Sequence, residues 1–147
     1  MLESEIEVEV PFQDCDPMGV TWHGCYLRYL ETARSALLNR IGYNVRQMTA
    51  SGYAWPIVDL KMKYVKTTTF GQRLVVRAAL EEYENRLKIA YSIADRATGE
   101  IVTKASTTQV AVYQARGEMC FVSPDVFLDK VRAALVAAPP AGGRRAS

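Results

Sequence analysis

The sequence contains a single histidine, His23, and only three cysteines, Cys15, Cys25 and Cys120, with no C-x-x-C pair. Any Ser-His or Cys-His machine must therefore use His23. An odd cysteine count without zinc-type spacing predicts reduced thiols, as in a cytoplasmic protein, and no metal. The patterns G-x-S-x-G, G-x-G-x-x-G, G-x-x-x-x-G-K-[ST] and H-E-x-x-H are absent. Their absence removes the nucleophile-elbow, dinucleotide, P-loop and zincin readings. The longest apolar run, Ala133 to Ala138, is too short to span a membrane. Glu3, Glu5, Glu7 and Glu9 stand where a secretory leader carries basic and then apolar residues, so no leader is expected. No charge sign dominates: 18 basic residues face 16 acidic ones, and Arg144 and Arg145 account for the net +2. Without a basic stripe, the electrostatic footprint of a nucleic-acid binder is missing.

What remains is an ordinary globular chain. Its 147 residues fit one domain, long enough to bury roughly 70% of the unfolded surface. Hydrophobic residues at 49% and charged residues at 23% argue against disorder. The expected domain covers residues 1–137, with 138–147 as a disordered tail. No internal repeat is present.

Residues 2–12 alternate, with Leu2, Ile6, Val8, Val10 and Phe12 on one face and the four glutamates on the other. This pattern predicts a strand with one wet face, ending or edging at Pro11. Pro17 and Gly19 then mark a loop. From Gly24 the period becomes helical: Tyr26, Leu30, Ala33 and Leu37, widened by Leu27 and Leu38, predict a helix of roughly sixteen residues closed by Gly42. A short helix is expected near 45–51. Strands are expected over 53–66, 72–83, 86–95 and 100–113, with Glu84-Asn85 and Ala97-Thr98-Gly99 as turns. A last helix, capped by Ser123 with Pro124 at its first position, is expected to run to about Val136. The order predicts an α+β fold, a five-stranded antiparallel meander wrapped on one long helix. A lone sheet leaves an edge that a second copy would cover.

The chemistry concentrates between Asp14 and Cys25. Asp14, Asp16 and His23 lie on a loop that leads into the N-terminus of a helix, where backbone N–H groups are unpaired and partially positive. A developing oxyanion is stabilised in such a place, and a carboxylate held nearby can attack an acyl carbon or activate water. Asp14 is the better candidate for bracing the loop through backbone amides. The spacing also fits turn or capping acids and a first-turn histidine. It fits no common zinc pattern, and two flanking carboxylates disfavour a thiolate at Cys15. Tyr26, Tyr29, Trp55 and Ile57 fit either an acyl pocket or plain core.

The run Phe12-Gln13-Asp14-Cys15-Asp16-Pro17-Met18-Gly19-Val20-Thr21-Trp22-His23-Gly24-Cys25-Tyr26-Leu27-Arg28-Tyr29-Leu30-Glu31-Thr32-Ala33-Arg34 resembles a known signature. It is similar to hotdog-fold acyl-CoA thioesterases of the 4-hydroxybenzoyl-CoA thioesterase type. It is also similar to the acyl-CoA thioesterase branch with a histidine after the aromatic residue. The resemblance implies a hotdog fold, homodimers or homotetramers with active sites between subunits, and thioester hydrolysis without metal or organic cofactor. It implies that Asp16 is the catalytic aspartate, with His23 beside it, and that the backbone N–H groups of His23 and Gly24 polarise the carbonyl. Glu31 stands where another branch carries its helix carboxylate, so it is the alternative acid. Lys66, Arg86 and Lys88 are candidates for the coenzyme A phosphates, although each also fits a solvated strand end. Trp22 and His23 replace the Trp-Tyr pair of the aryl-CoA enzyme, so an aryl substrate does not carry over. An aliphatic or polyene acyl group on coenzyme A or acyl carrier protein fits. Acyl-thioester hydration or dehydration, non-catalytic acyl-CoA binding and a purely structural module are the alternatives.

Overall fold

The computed structural model describes residues 2–137, so the expected tail at 138–147 lies outside the described residues. The first strand, β1 (Glu3–Glu9), sets the pattern: Ile6 and Val8 turn toward the core while Glu5, Glu7 and Glu9 face water. These glutamates pair with Arg77 at 2.9 Å, Arg96 at 2.7 Å and Arg73 at 3.3 Å. Exposed pairs of this kind contribute only about 0–1 kcal/mol each. Phe12 departs from the expected face. The strand ends before Pro11, residues Phe12–Asp14 form a single 3-10 turn, and Phe12 is 74% exposed.

The long helix α1 (Cys25–Ile41) buries Tyr26, Tyr29, Leu30, Ala33, Leu37, Leu38 and Ile41. Gly42 ends it at φ +82°, a left-handed conformation that other residues adopt at a cost, and its amide caps the Asn39 carbonyl at 3.1 Å. Burying a side chain as fully as Leu37 stabilises the fold by about 1.5–3 kcal/mol. Leu27, expected on the stripe, is 40% exposed because it shares the outer face of Glu31, away from the sheet. A short helix α2 (Val45–Ala50) follows, opened by a capping box between Asn44 and Gln47.

The main sheet adds β3 (Ile57–Tyr64), β4 (Arg73–Glu82), β5 (Leu87–Asp95) and β6 (Ile101–Gln109). All pairs are antiparallel, in the order β1-β4-β5-β6-β3. The strand count agrees with the sequence reading, but the meander does not: β3 crosses the sheet and joins its far edge beside β6. The expected strand over 53–66 breaks at Trp55-Pro56, where Trp55 dives into the core and Pro56 lacks a ladder donor. Its first part, β2 (Tyr53–Ala54), joins β7 (Val112–Tyr113) and β8 (Glu118–Met119) in a small second sheet. The strand expected over 100–113 is divided in the same way. The β4–β5 connection spans residues 83–86 rather than two, after a bulge near Leu80 and Glu82.

The last helix, α3 (Asp125–Ala137), starts one residue later than expected. The Pro124 carbonyl accepts from Phe127 and Leu128 at 3.0 and 3.1 Å. Ser123 does not cap: its amide is tied to Glu84, and its buried Oγ has no partner among the described residues. Helix α1 packs across β1 and β4. Strand β3 is left as a bare edge, with Val58, Leu60 and Tyr64 between 40% and 57% exposed.

Candidate functional site

The loop before α1 is a tight hairpin. Cys15 pairs with Thr21, the Asp16 amide donates to Val20 at 2.9 Å, and Gly19 donates back to Asp16 at 2.9 Å with φ +83°. Pro17 sets the turn and Gly19 takes the left-handed position it needs. The Asp16 carboxylate closes on its own loop, Oδ1 accepting from Met18 at 2.9 Å and Val20 at 3.4 Å. Its Oδ2 accepts no hydrogen bond from any described residue. The side chain is thus fixed by one oxygen and presents the other.

A second acid anchors this hairpin to the helix. Asp14, only 3% exposed, accepts from the Tyr29 hydroxyl at 2.6 Å and from the Arg28 guanidinium. Burial raises the Asp14 carboxyl, but the Tyr29 and Arg28 hydrogen bonds outweigh it and hold it below its usual value. Burial, reinforced by Asp14, pushes the Tyr29 phenol up and raises the Cys25 thiol. The Asp14 carbonyl also receives the Trp22 amide at 2.8 Å and the Cys25 thiol at 3.8 Å. Asp14 therefore braces the loop, as the sequence suggested, but its carboxylate does so through helix side chains rather than backbone amides.

These constraints deliver Asp16, His23 and Tyr26 to one cleft of about 300 Å³, lined also by Val20, Thr21, Tyr64, Val65, Lys66 and Thr67. The N-terminus of α1 opens beside it, with no side-chain cap on Gly24. Among the described residues, the amides of His23 and Gly24 have no hydrogen-bond partner. Gly24 has ordinary helical φ, so backbone strain does not require a glycine there. Space does: a Cβ at this position would lie 2.2–2.8 Å from the Trp22 indole, which folds back over it. The same indole lies 5.2 Å from the His23 ring.

The cleft includes Tyr64, which the sequence did not mark, and a hydroxyl chain behind it. Tyr64 donates its hydroxyl to the His23 carbonyl at 3.0 Å. Burial, with Tyr26 nearby, pushes its phenol up, so it remains a donor at neutral pH. Tyr26 joins Thr68 at 2.8 Å, and Thr68 joins Thr21 at 2.6 Å, in a buried chain of hydroxyls. Alternation alone makes Tyr64 just another residue of β3.

The remaining candidates separate. Lys66 lines the cleft and pairs with Glu100 at 2.9 Å. Glu31 is exposed, pairs with Arg34, and does not reach the cleft within one protomer. Arg86 and Lys88 pair with Glu82 at 3.1 Å and Glu81 at 3.3 Å, at the other end of the sheet. Lys88 stands opposite Thr108, whereas the cleft residue Tyr64 stands opposite Thr103. That offset is about 16 Å along β6. Trp55 is core against Phe127, and Ile57 is exposed at the start of β3. Among the described residues, no three of His, Cys, Asp and Glu converge on a metal-sized site. No described helix is long and apolar enough to cross a membrane.

A family model described as the thioesterase-like superfamily matches residues 10–138. The chain belongs to this superfamily. The matched span runs from the end of β1 through α3 and includes the whole Asp16–His23 loop. YneP of Bacillus subtilis, named as a candidate acyl-CoA thioesterase, is 32% identical over 110 residues, covering 74% of this chain and 79% of its own. A Synechocystis protein named as a candidate esterase is 34% identical over 123 residues, covering 83% of this chain and 74% of its own. Among solved structures, the DHNA-CoA thioesterase of Staphylococcus aureus superposes with a TM-score of 0.78 at 25% identity, covering 93% of this chain and 91% of its own. With these relatives, the helix held against a five-stranded antiparallel sheet is the hotdog fold.

Proposed function

We infer that this protein is an acyl thioester hydrolase, releasing a carboxylic acid and a free thiol from an acyl group carried on coenzyme A or acyl carrier protein. One observation carries the reading. The unpaired Oδ2 of Asp16 belongs to a carboxylate that shares a cleft with His23 at an uncapped helix N-terminus, where two amides are unpartnered. Oδ2 acts on the acyl carbon, directly or by taking a proton from an attacking water. The His23 and Gly24 amides receive the charge that develops on the carbonyl oxygen, aided by the positive end of α1. In the direct route the C–S bond breaks to leave an Asp16 mixed anhydride, which water then hydrolyses to the free acid and the restored carboxylate. In the water route the tetrahedral adduct collapses to the acid, and the proton taken by Asp16 passes to the departing thiolate, directly or through the His23 ring. Lys66, at the rim, is the cleft residue suited to a carrier phosphate.

The bare β3 edge supports a homodimer formed by pairing β3 with its copy, which covers Val58, Leu60 and Tyr64 and closes the cleft between subunits. A tetramer is built from two such pairs. Three free cysteines suit a reducing cytoplasm. Sedimentation should return at least twice the 16.4 kDa chain mass. A thiol-trapping screen over short, long, aryl and polyunsaturated acyl-CoAs and acyl carrier protein thioesters tests the chemistry. Stoichiometric thiol and acid are expected. Consumption of an acyl thioester without thiol release points to hydration or dehydration and overturns the reading, and tight binding without turnover does the same.

A further inference from the structure

The outer face of the main sheet divides its charges unevenly. Following the register across one row gives Glu5, Arg77, Ser92, Lys104 and Lys63. On the β1–β4 side every arginine meets an acid: Arg73 with Glu9, Arg77 with Glu5, Arg96 with Glu7. On the β6–β3 side, Lys63 stands directly opposite Lys104, and Lys61 shares their face two residues away. All three are exposed, and none has an ion-pair partner among the described residues. Asp59 lies on the same face and forms no pair with them. Like charges directly opposite across two strands are destabilising, so this arrangement costs stability.

Lysines on a sheet edge commonly block aggregation, and that accounts for Lys61 and Lys63. It does not account for Lys104, because β6 is an interior strand paired on both sides. The patch faces solvent, carries no cleft residue and is built of flexible point charges. A small phosphate group is better held by a concave site with forked donors. A broad acidic protein surface matches these unpaired lysines in sign and can meet all three at once. The patch lies on the outer face of the sheet and the cleft on the helix-facing side, and the two meet only around the end of β3, where Lys63 precedes the cleft residue Tyr64.

We propose that Lys61, Lys63 and Lys104 form a docking surface for an acidic carrier protein whose prosthetic arm bears the acyl thioester. The proposal deepens the hydrolase reading and rests on it for the identity of the cargo. Docking at the patch steers the carrier and leaves the chemistry in the cleft unchanged, so it changes encounter rather than the bond-breaking step.

The test combines binding with turnover. Fluorescence anisotropy with a labelled bacterial acyl carrier protein measures Kd for the wild type and for K61E/K63E/K104E, at low and high salt. The variant should bind at least about tenfold more weakly, with a shallower salt dependence. KM for acyl carrier protein thioesters should rise in parallel with kcat unchanged, while KM for acyl-CoA moves less than about twofold. The milder K61Q/K63Q/K104Q should lie between the two, and it takes over the test if the reversal variant misfolds. Equal carrier affinity in wild type and variant overturns the proposal. So does an equal rise in KM for acyl-CoA, which assigns the lysines to coenzyme A phosphates. A wild type that binds the carrier through the patch but releases no thiol refutes the hydrolase reading alone.

Discussion

Replacing Asp16 with asparagine is expected to lower turnover by a factor on the order of 10² to 10⁴ without a matching loss of stability. The two halves of this expectation rest on different atoms. Oδ1 accepts from Met18 and Val20 and holds the hairpin, a role the asparagine carbonyl can keep. Oδ2, which no described residue engages, becomes an amide nitrogen and can neither attack the acyl carbon nor take a proton. The fall should therefore appear in kcat, with the thermal midpoint nearly unchanged. His23→Ala is expected to cost less, because its backbone amide, placed by the Trp22–Asp14 and Tyr64–His23 bonds, survives the change. Both variants are read by thiol release under saturating substrate. Wild-type turnover in folded Asp16→Asn removes the aspartate from the mechanism. A greater loss in His23→Ala than in Asp16→Asn makes the imidazole the principal catalyst.

The loop and its helix were readable because their signals are local. A change from period two to period 3.6 locates α1, Gly42 ends it, and two acids before a helix N-terminus mark the loop where candidate chemistry gathers. The cleft's other wall was not readable. Tyr64 arrives from β3, and alternation says which face a strand presents but not which neighbour it pairs with. Lys66, just past the strand's end, is a candidate for the coenzyme A phosphates, but nothing local places it beside Asp16. The crossing of β3 to the far edge is decided by long-range pairing with β6, and the break at Trp55-Pro56 by burial of one indole. The same limit hid the lysine patch. Lys104 and Lys63 meet only through the β3–β6 register, so a nearly neutral sequence conceals a local excess of one sign.

Removing the Asp14 carboxylate should be the most destabilising single change at the site. Asp14→Ala leaves the buried Tyr29 hydroxyl without its acceptor, while Arg28, whose side chain is 58% exposed, can turn to water. Losing the partner of a buried donor costs about 1–3 kcal/mol. The hairpin also loses its tie to α1, so turnover falls even though Asp14 touches no substrate in the proposed mechanism. The pH dependence identifies the cause. The carboxyl sits below its usual 3.8 in the folded state, so between the two values the unfolded chain binds more protons and stability rises with pH. The contribution is complete above the usual carboxylate range and is lost as pH falls through the folded value. Urea titrations from neutral pH into acid should thus show wild type and Asp14→Asn widely separated at neutrality and converging as the pH drops below the usual carboxylate range. A constant separation across that range would assign the loss to packing rather than to charge. Equal stability at neutral pH would mean that the Arg28–Asp14–Tyr29 contacts do not anchor the loop.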